Sequence, residues 1–197
     1  MAQRKTIAVA NLKGGAGKTT ASMLISTQLT KLGHTVTVLD MDNQKSAARW
    51  AVLAEEDGTP LPFEVRVTRP RSLHRYEPST DFTFIDTPPG HPDIVDEAVA
   101  AADLLIVPTP PGFMDTDRTW EAVEAFATKL PTYVLMCRFD GRSNDARDFS
   151  SQLDERGVAR FETVIPANLA IGRLRGTVPK PGKFRFDDLT NELLEVL

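Results

Sequence analysis

Apolar residues along the chain fall into two patterns. Short runs with little polar alternation occupy residues 6–10 (TIAVA), 35–39 (TVTVL), 63–67, 82–85 (FTFI), 104–107 (LLIV), 132–137 (TYVLMC) and 161–165. Runs of this kind predict strands buried on both faces. Between them, apolar residues recur at helical spacing over 18–32, 44–54, 93–102, 115–130, 145–157 and 187–196. Gly33 and Gly157 stand as stops at two helix ends. Strands alternating with helices predict parallel crossovers, and hence an α/β fold with a single doubly wound, mostly parallel sheet and helices on both faces. No repeat or composition break divides residues 1–197, so one domain is expected.

In such sheets ligands gather beyond the C-terminal strand ends. Asn11, Asp40, Asp86 and Pro108 all fall at those ends. Residues 11–20 read NLKGGAGKTT, after a strand and into a helix. Gly14, Gly15 and Gly17, with Ala16 between them, let the backbone turn its amides toward phosphate oxygens. Lys18 supplies a point charge for the β- and γ-phosphates, and Thr19 offers a hydroxyl to magnesium. Thr20 adds a second hydroxyl, and the helix N-terminus favours the anion. The standard spacing has a glycine where this chain has Leu12, and an additional lysine, Lys13, precedes the glycines. The alternative is a glycine-rich turn with incidental lysines; the strand–loop–helix context argues against it.

Asp40 and Asp42 lie two residues apart in LDMDNQ. On an extended segment they would face one side. A hard cation takes oxygen ligands and keeps several waters, so a carboxylate can act through those waters. A second carboxylate can orient the attacking water in phosphoryl transfer. Asp86 ends the apolar run of FTFIDTPPG, where its carboxylate would meet the same magnesium shell, and Pro88 and Pro89 stiffen the exit.

The segment KGGAGKTT resembles the deviant Walker A motif of the ParA/MinD ATPases. The resemblance continues through Asp40, Asp42 and Gln44, which match a D-x-D-P-Q pattern with Asn43 in place of proline. It then takes in DTPP, AAADLLIVPTPPGFMDTD, VLMCRFDGRSN and TVIPANLAIG, covering most of residues 5–172 and weakening over 51–80. It points to a short, ParF-like ParA protein with a P-loop NTPase fold. The resemblance implies slow, partner-stimulated hydrolysis of ATP with magnesium. It implies that Lys13 crosses to the partner's nucleotide in an ATP-dependent homodimer, and that Asp42 positions the attacking water. Asp40, Thr19 and Asp86 would then serve magnesium, and Arg138 and Asn168 the base pocket. The absence of an N-K-x-D motif, taken with the resemblance, favours ATP over GTP. The chain starts almost at its first strand, so a preceding helix-turn-helix region is not expected. The implied role is partition of a plasmid, chromosome or other cargo. The dimer would bind nonspecific DNA, and a cargo-bound adaptor would stimulate hydrolysis. The implied location is cytoplasmic and nucleoid-associated.

Charge refines this reading. The net charge is -4, yet residues 173–185 (RLRGTVPKPGKFR) carry Arg173, Arg175, Lys180, Lys183 and Arg185 with no acidic residue. Such a patch can neutralise phosphates without reading sequence. Arg66, Arg69, Arg71 and Arg75 form a second candidate; a solvated basic loop is the plain alternative for either. The runner-up function is a MinD-like, membrane-cycling ATPase. Its basic amphipathic tail has no counterpart in DDLTNELLEVL, whose Leu189, Leu193, Leu194 and Val196 are expected to pack on the domain, so no membrane partner is expected. Cys137 is the single cysteine, which excludes an internal disulfide and suits a reducing compartment. It also argues against an electron donor that holds a cluster between two chains. His34, His74 and His91 lack zinc-ligand spacing, and Trp50 and Trp120 are expected to pack against helices.

Overall fold

The computed structural model describes residues 4–112, 117–140, 142–178 and 184–197. The strands are β1 (Lys5–Val9), β2 (Val36–Asp40), β3 (Glu64–Val67), β4 (Phe82–Asp86), β5 (Leu104–Thr109), β6 (Thr132–Phe139) and β7 (Ile165–Pro166). They form one seven-stranded sheet in the order β3-β2-β4-β1-β5-β6-β7, with every pairing parallel. The helices are α1 (Lys18–Lys31), α2 (Ser46–Glu56), α3 (Pro92–Ala100), α4 (Asp117–Ala127), α5 (Asn144–Glu155), α6 (Leu169–Gly172) and α7 (Phe186–Val196).

Both faces of the sheet are covered, which is why the strands read as unbroken apolar runs. Ile7, Val9, Val38, Phe84 and Ile106 join Leu24, Ile25, Leu29, Trp50, Leu189 and Leu193 in one core. Ala8, Leu39, Ile85, Leu105 and Val107 join Val95, Val99, Trp120, Phe149 and Leu153 in the other. Leu189 and Leu193 are fully buried, Leu194 and Val196 pack beside them, and α7 lies against α1. Among the described residues no helix is long and apolar enough to cross a membrane.

Several boundaries differ from the sequence reading, each for a local reason. Residues 161–165 do not form a strand; only Ile165–Pro166 pair, with an isolated bridge at Arg160. The Glu162 and Thr163 N–H groups donate instead to the carboxylate of Glu192 on α7. Strand β5 runs through Pro108 to Thr109 rather than ending before it. Its pairing with β1 stops at Ile106, so the amide that proline lacks is not missed on that flank. Helix α2 begins at Ser46 because Lys45 is left-handed, with φ 52°. A 3-10 turn over Pro70–Arg75, anchored by buried Leu73, has no periodic signal in the sequence. Residues 115 and 116 of the expected fourth helix lie outside the described residues.

Candidate nucleotide site

Strand order places the C-terminal ends of β1, β4, β2 and β5 side by side. The loop after β1 is built onto its neighbours. The Ala10 N–H donates to the Ile106 carbonyl at 3.1 Å, and the Asn11 side-chain amide donates to the Pro108 carbonyl at 2.9 Å. Asn11 Oδ1 accepts the Lys13 N–H at 3.0 Å, and the Gly90 N–H donates to the Leu12 carbonyl at 2.8 Å. The segment after Asp86 is thus tied to the glycine loop. Gly15 and Gly17 take φ of 76° and 98°, which side-chain-bearing residues rarely adopt. Gly17 is the N-cap of α1, whose opening amides face the loop.

Lys18 is 6% exposed, and its Nζ donates to the Asn11 and Lys13 carbonyls at 3.1 and 3.3 Å. Burial lowers its pKa, against the opposing charges of Asp86 and Asp42. Thr19 Oγ1 donates to Asp86 Oδ2 at 2.7 Å. Asp86 is fully buried, and its Oδ1 has no hydrogen-bond partner among the described residues. Burial pushes its carboxyl up to about 7; the Thr19 hydrogen bond and Lys18 pull down, while Asp40 and Asp42 push further up. A buried oxygen with no donor beside a hydroxyl is a fitting place for a hard cation. No group of three or more histidine, cysteine or acidic residues gathers as a metal site among the described residues. A cation here therefore depends on Thr19, water and phosphate oxygens for the rest of its shell.

The two carboxylates of the β2 turn divide differently from the sequence expectation. Strand β2 ends at Asp40, so Asp42 sits in a turn and not on the same side of a strand. Both Asp40 oxygens accept backbone amides, Oδ1 from Asp42 at 3.0 Å and Oδ2 from Ala48 at 2.9 Å. Through these bonds Asp40 braces the Asp42 turn and the start of α2. Its carboxyl is raised, by burial first, against those amide bonds. Asp42 is partly exposed, and its Oδ1 accepts the Gln44 N–H at 2.9 Å. Spacing alone cannot tell which of two aspartates spends its oxygens on amides.

Beside the loop lies a cavity of about 470 Å³, lined among others by Gly17, Thr20, Arg138, Pro166, Asn168 and Leu169. Arg138 is left-handed, with φ 61°, and exposed; Asn168 accepts the Ala170 N–H at 2.9 Å and caps α6. Leu169, at the rim, is 87% exposed. It carried no periodic signal and was not anticipated. Cys137 borders the same cavity, and burial pushes its thiol up to about 12.

The basic patch is only partly gathered. Arg173 and Arg175 are exposed and make no salt bridge among the described residues, whereas Arg185 pairs with Asp188 at 3.0 Å. Lys180 and Lys183 lie outside the described residues. Arg66 pairs with Glu64 at 2.9 Å, while Arg69, Arg71 and Arg75 are exposed around the 3-10 turn.

Residues 7–176 match the model of the CobQ/CobB/MinD/ParA nucleotide binding domain. The chain is 35% identical over 170 residues to the maintenance of carboxysome distribution protein A of Gloeobacter kilaueensis, covering 83% of this chain and 77% of that one. It is 28% identical over 216 residues to the chromosome-partitioning ATPase Soj of Thermus thermophilus, covering 86% and 84%. Its fold is similar to the crystal structure of the Pyrococcus furiosus cell division ATPase MinD, with a TM-score of 0.77 at 21% identity over 99% and 100% of the two chains.

Proposed function

The chain belongs to the CobQ/CobB/MinD/ParA nucleotide-binding family and is an ATPase that works with ATP and magnesium; from that premise we propose that it positions a cargo by an ATP-dependent cycle of dimerisation and DNA binding. The observation that carries the site assignment is the hydrogen bond from Thr19 to the buried Asp86 at the foot of the loop that holds Lys18. Thr19 would bind magnesium directly and Asp86 through its coordinated water. Magnesium, when bound, supplies charge neutralisation between phosphate oxygens. Lys18 leaves the two loop carbonyls and turns its ammonium to the β- and γ-phosphates. Lys13 faces the nucleotide of a second copy, where a cation offsets developing charge. Asp42 orients the attacking water, and Asp40 holds Asp42 in place. Loop amides of Gly14, Gly15, Ala16 and Gly17 cradle the phosphates, with Thr20 nearby; Arg138 and Asn168 flank the base.

In this reading ATP closes a homodimer, and the exposed Arg173 and Arg175 contact DNA phosphates without regard to sequence, joined by Lys180, Lys183 and Arg185. A cargo-bound adaptor then stimulates hydrolysis, and the dimer leaves the nucleoid. The names of the relatives span chromosome partition and carboxysome distribution, so the cargo is a replicon or a protein body. The test is retention on nonspecific DNA with ATP, ADP or no nucleotide, paired with sedimentation of the protein alone. ATP-dependent retention by a dimer is expected. Equal retention in all three states would overturn the cycle.

A further inference from the structure

The turn that carries Asp42 is linked to a remote part of the chain. Asp40 Oδ2 accepts the Ala48 N–H and so joins the end of β2 to the first turn of α2. On that helix Trp50 is 2% exposed, and its indole Nε1 donates to the Thr177 carbonyl at 2.9 Å, across 127 positions. An indole nitrogen only donates, so this carbonyl is what satisfies the buried N–H. Gly176 meets the same helix: with φ 77°, a Cβ placed on it would lie 2.7 Å from Leu53 Cβ. No larger residue fits there without a shift. The Thr177 N–H and hydroxyl both donate to the Leu174 carbonyl, at 2.9 and 2.8 Å, which folds residues 174–177 into a turn. Arg175 sits on that turn and Arg173 directly before it, both exposed.

We propose that Trp50 is a positioning residue that passes the nucleotide state, read at Asp42, to the basic turn at 173–178. This rests on the nucleotide assignment above. Asp42 is close enough to Lys18 and Asp86 for its charge to act on both, so a phosphate there changes the forces on its turn. Asp40 holds that turn and α2 as one piece, so a shift of the turn moves Trp50 and Leu53. The turn then has two arrangements, seated on α2 with the Trp50–Thr177 bond made, or released with it broken. ATP and ADP bias that choice by their different contacts at Asp42.

The test is amide hydrogen exchange over residues 173–178 in ATP with magnesium, in ADP with magnesium and without nucleotide, all in the absence of DNA. In the wild-type chain the exchange rates in ATP and ADP should differ by about fivefold, the factor one neutral hydrogen bond is worth. Trp50→Phe keeps an aromatic ring but removes the donor and part of the indole volume; it should abolish that difference and change ATP affinity by no more than the same fivefold, the limit reciprocity sets. Gly176→Ala should do the same from the other side of the contact. A merely structural role would raise exchange equally in every nucleotide state and preserve the ratio, which would overturn the proposal. So would an equal rate in ATP and ADP in the wild-type chain, an arm that needs no substitution. Failure of the wild-type chain to bind ATP at all would instead sink the nucleotide assignment, and this proposal with it.

Discussion

Lys18 donates to two loop carbonyls, and Asp86 is buried and accepts the Thr19 hydroxyl, so the loop and its neighbouring strand fix both side chains. Removing the ammonium with Lys18→Ala deletes charged hydrogen bonds to phosphate and should weaken ATP binding by about 10²-fold in equilibrium titration. Asp42→Ala leaves that cation in place. It should preserve ATP affinity, cut hydrolysis by about 10²-fold or more, and leave a dimer that persists with ATP in sedimentation. Asp86 makes a prediction about pH. Its carboxyl titrates near 7 in the folded chain, raised above its ordinary value near 3.8. Between those values the folded chain holds a proton that the unfolded chain has released, so this group's stabilisation is lost as pH rises toward 7. Thermal melts of the nucleotide-free protein from about pH 5 to about pH 8 should therefore decline, and Asp86→Asn should flatten the decline. A decline as steep in Asp86→Asn as in wild type would assign it elsewhere.

At the scale of elements, β7 is short because Glu192 diverts the amides before it. Glu192→Ala frees two donors and should cost about 1–3 kcal/mol in denaturant unfolding. This is also where the sequence was least legible. Residues 161–165 are apolar enough for a strand, but the amides of Glu162 and Thr163 are claimed by a carboxylate some thirty positions away, which no local period records. The 3-10 turn and α6 are too short to show a period at all. Strands β1, β2, β4, β5 and β6 were legible because burial on both faces demands unbroken apolar runs. In the site, the glycine loop was legible because left-handed φ at Gly15 and Gly17 restricts residue type. The bracing bonds of Asp40 were not, since its amide partners at Asp42 and Ala48 depend on how the turn closes.

Over the whole molecule, charge is distributed against the net balance. Arg173 and Arg175 are exposed and make no salt bridge among the described residues of a chain of net charge -4, while Arg185 is offset by Asp188. Each phosphate contact contributes about 0.9 to the slope of log affinity against log salt. Replacing Arg173 and Arg175 with glutamine should thus reduce that slope by about 2 per protomer, about 4 for the dimer, and leave ATP binding intact. An unchanged slope would move the DNA contact off this surface.

The outermost strands have a consequence of their own. One margin of the sheet is the four-residue β3, where Glu64 and Arg66 grip each other; the opposite margin is the two-residue β7. Margins so brief, one ion-paired and the other ending in a proline, give an incoming chain little backbone to zip onto. If copies gather on DNA as in the proposed cycle, such margins would let local density rise without seeding fibrils.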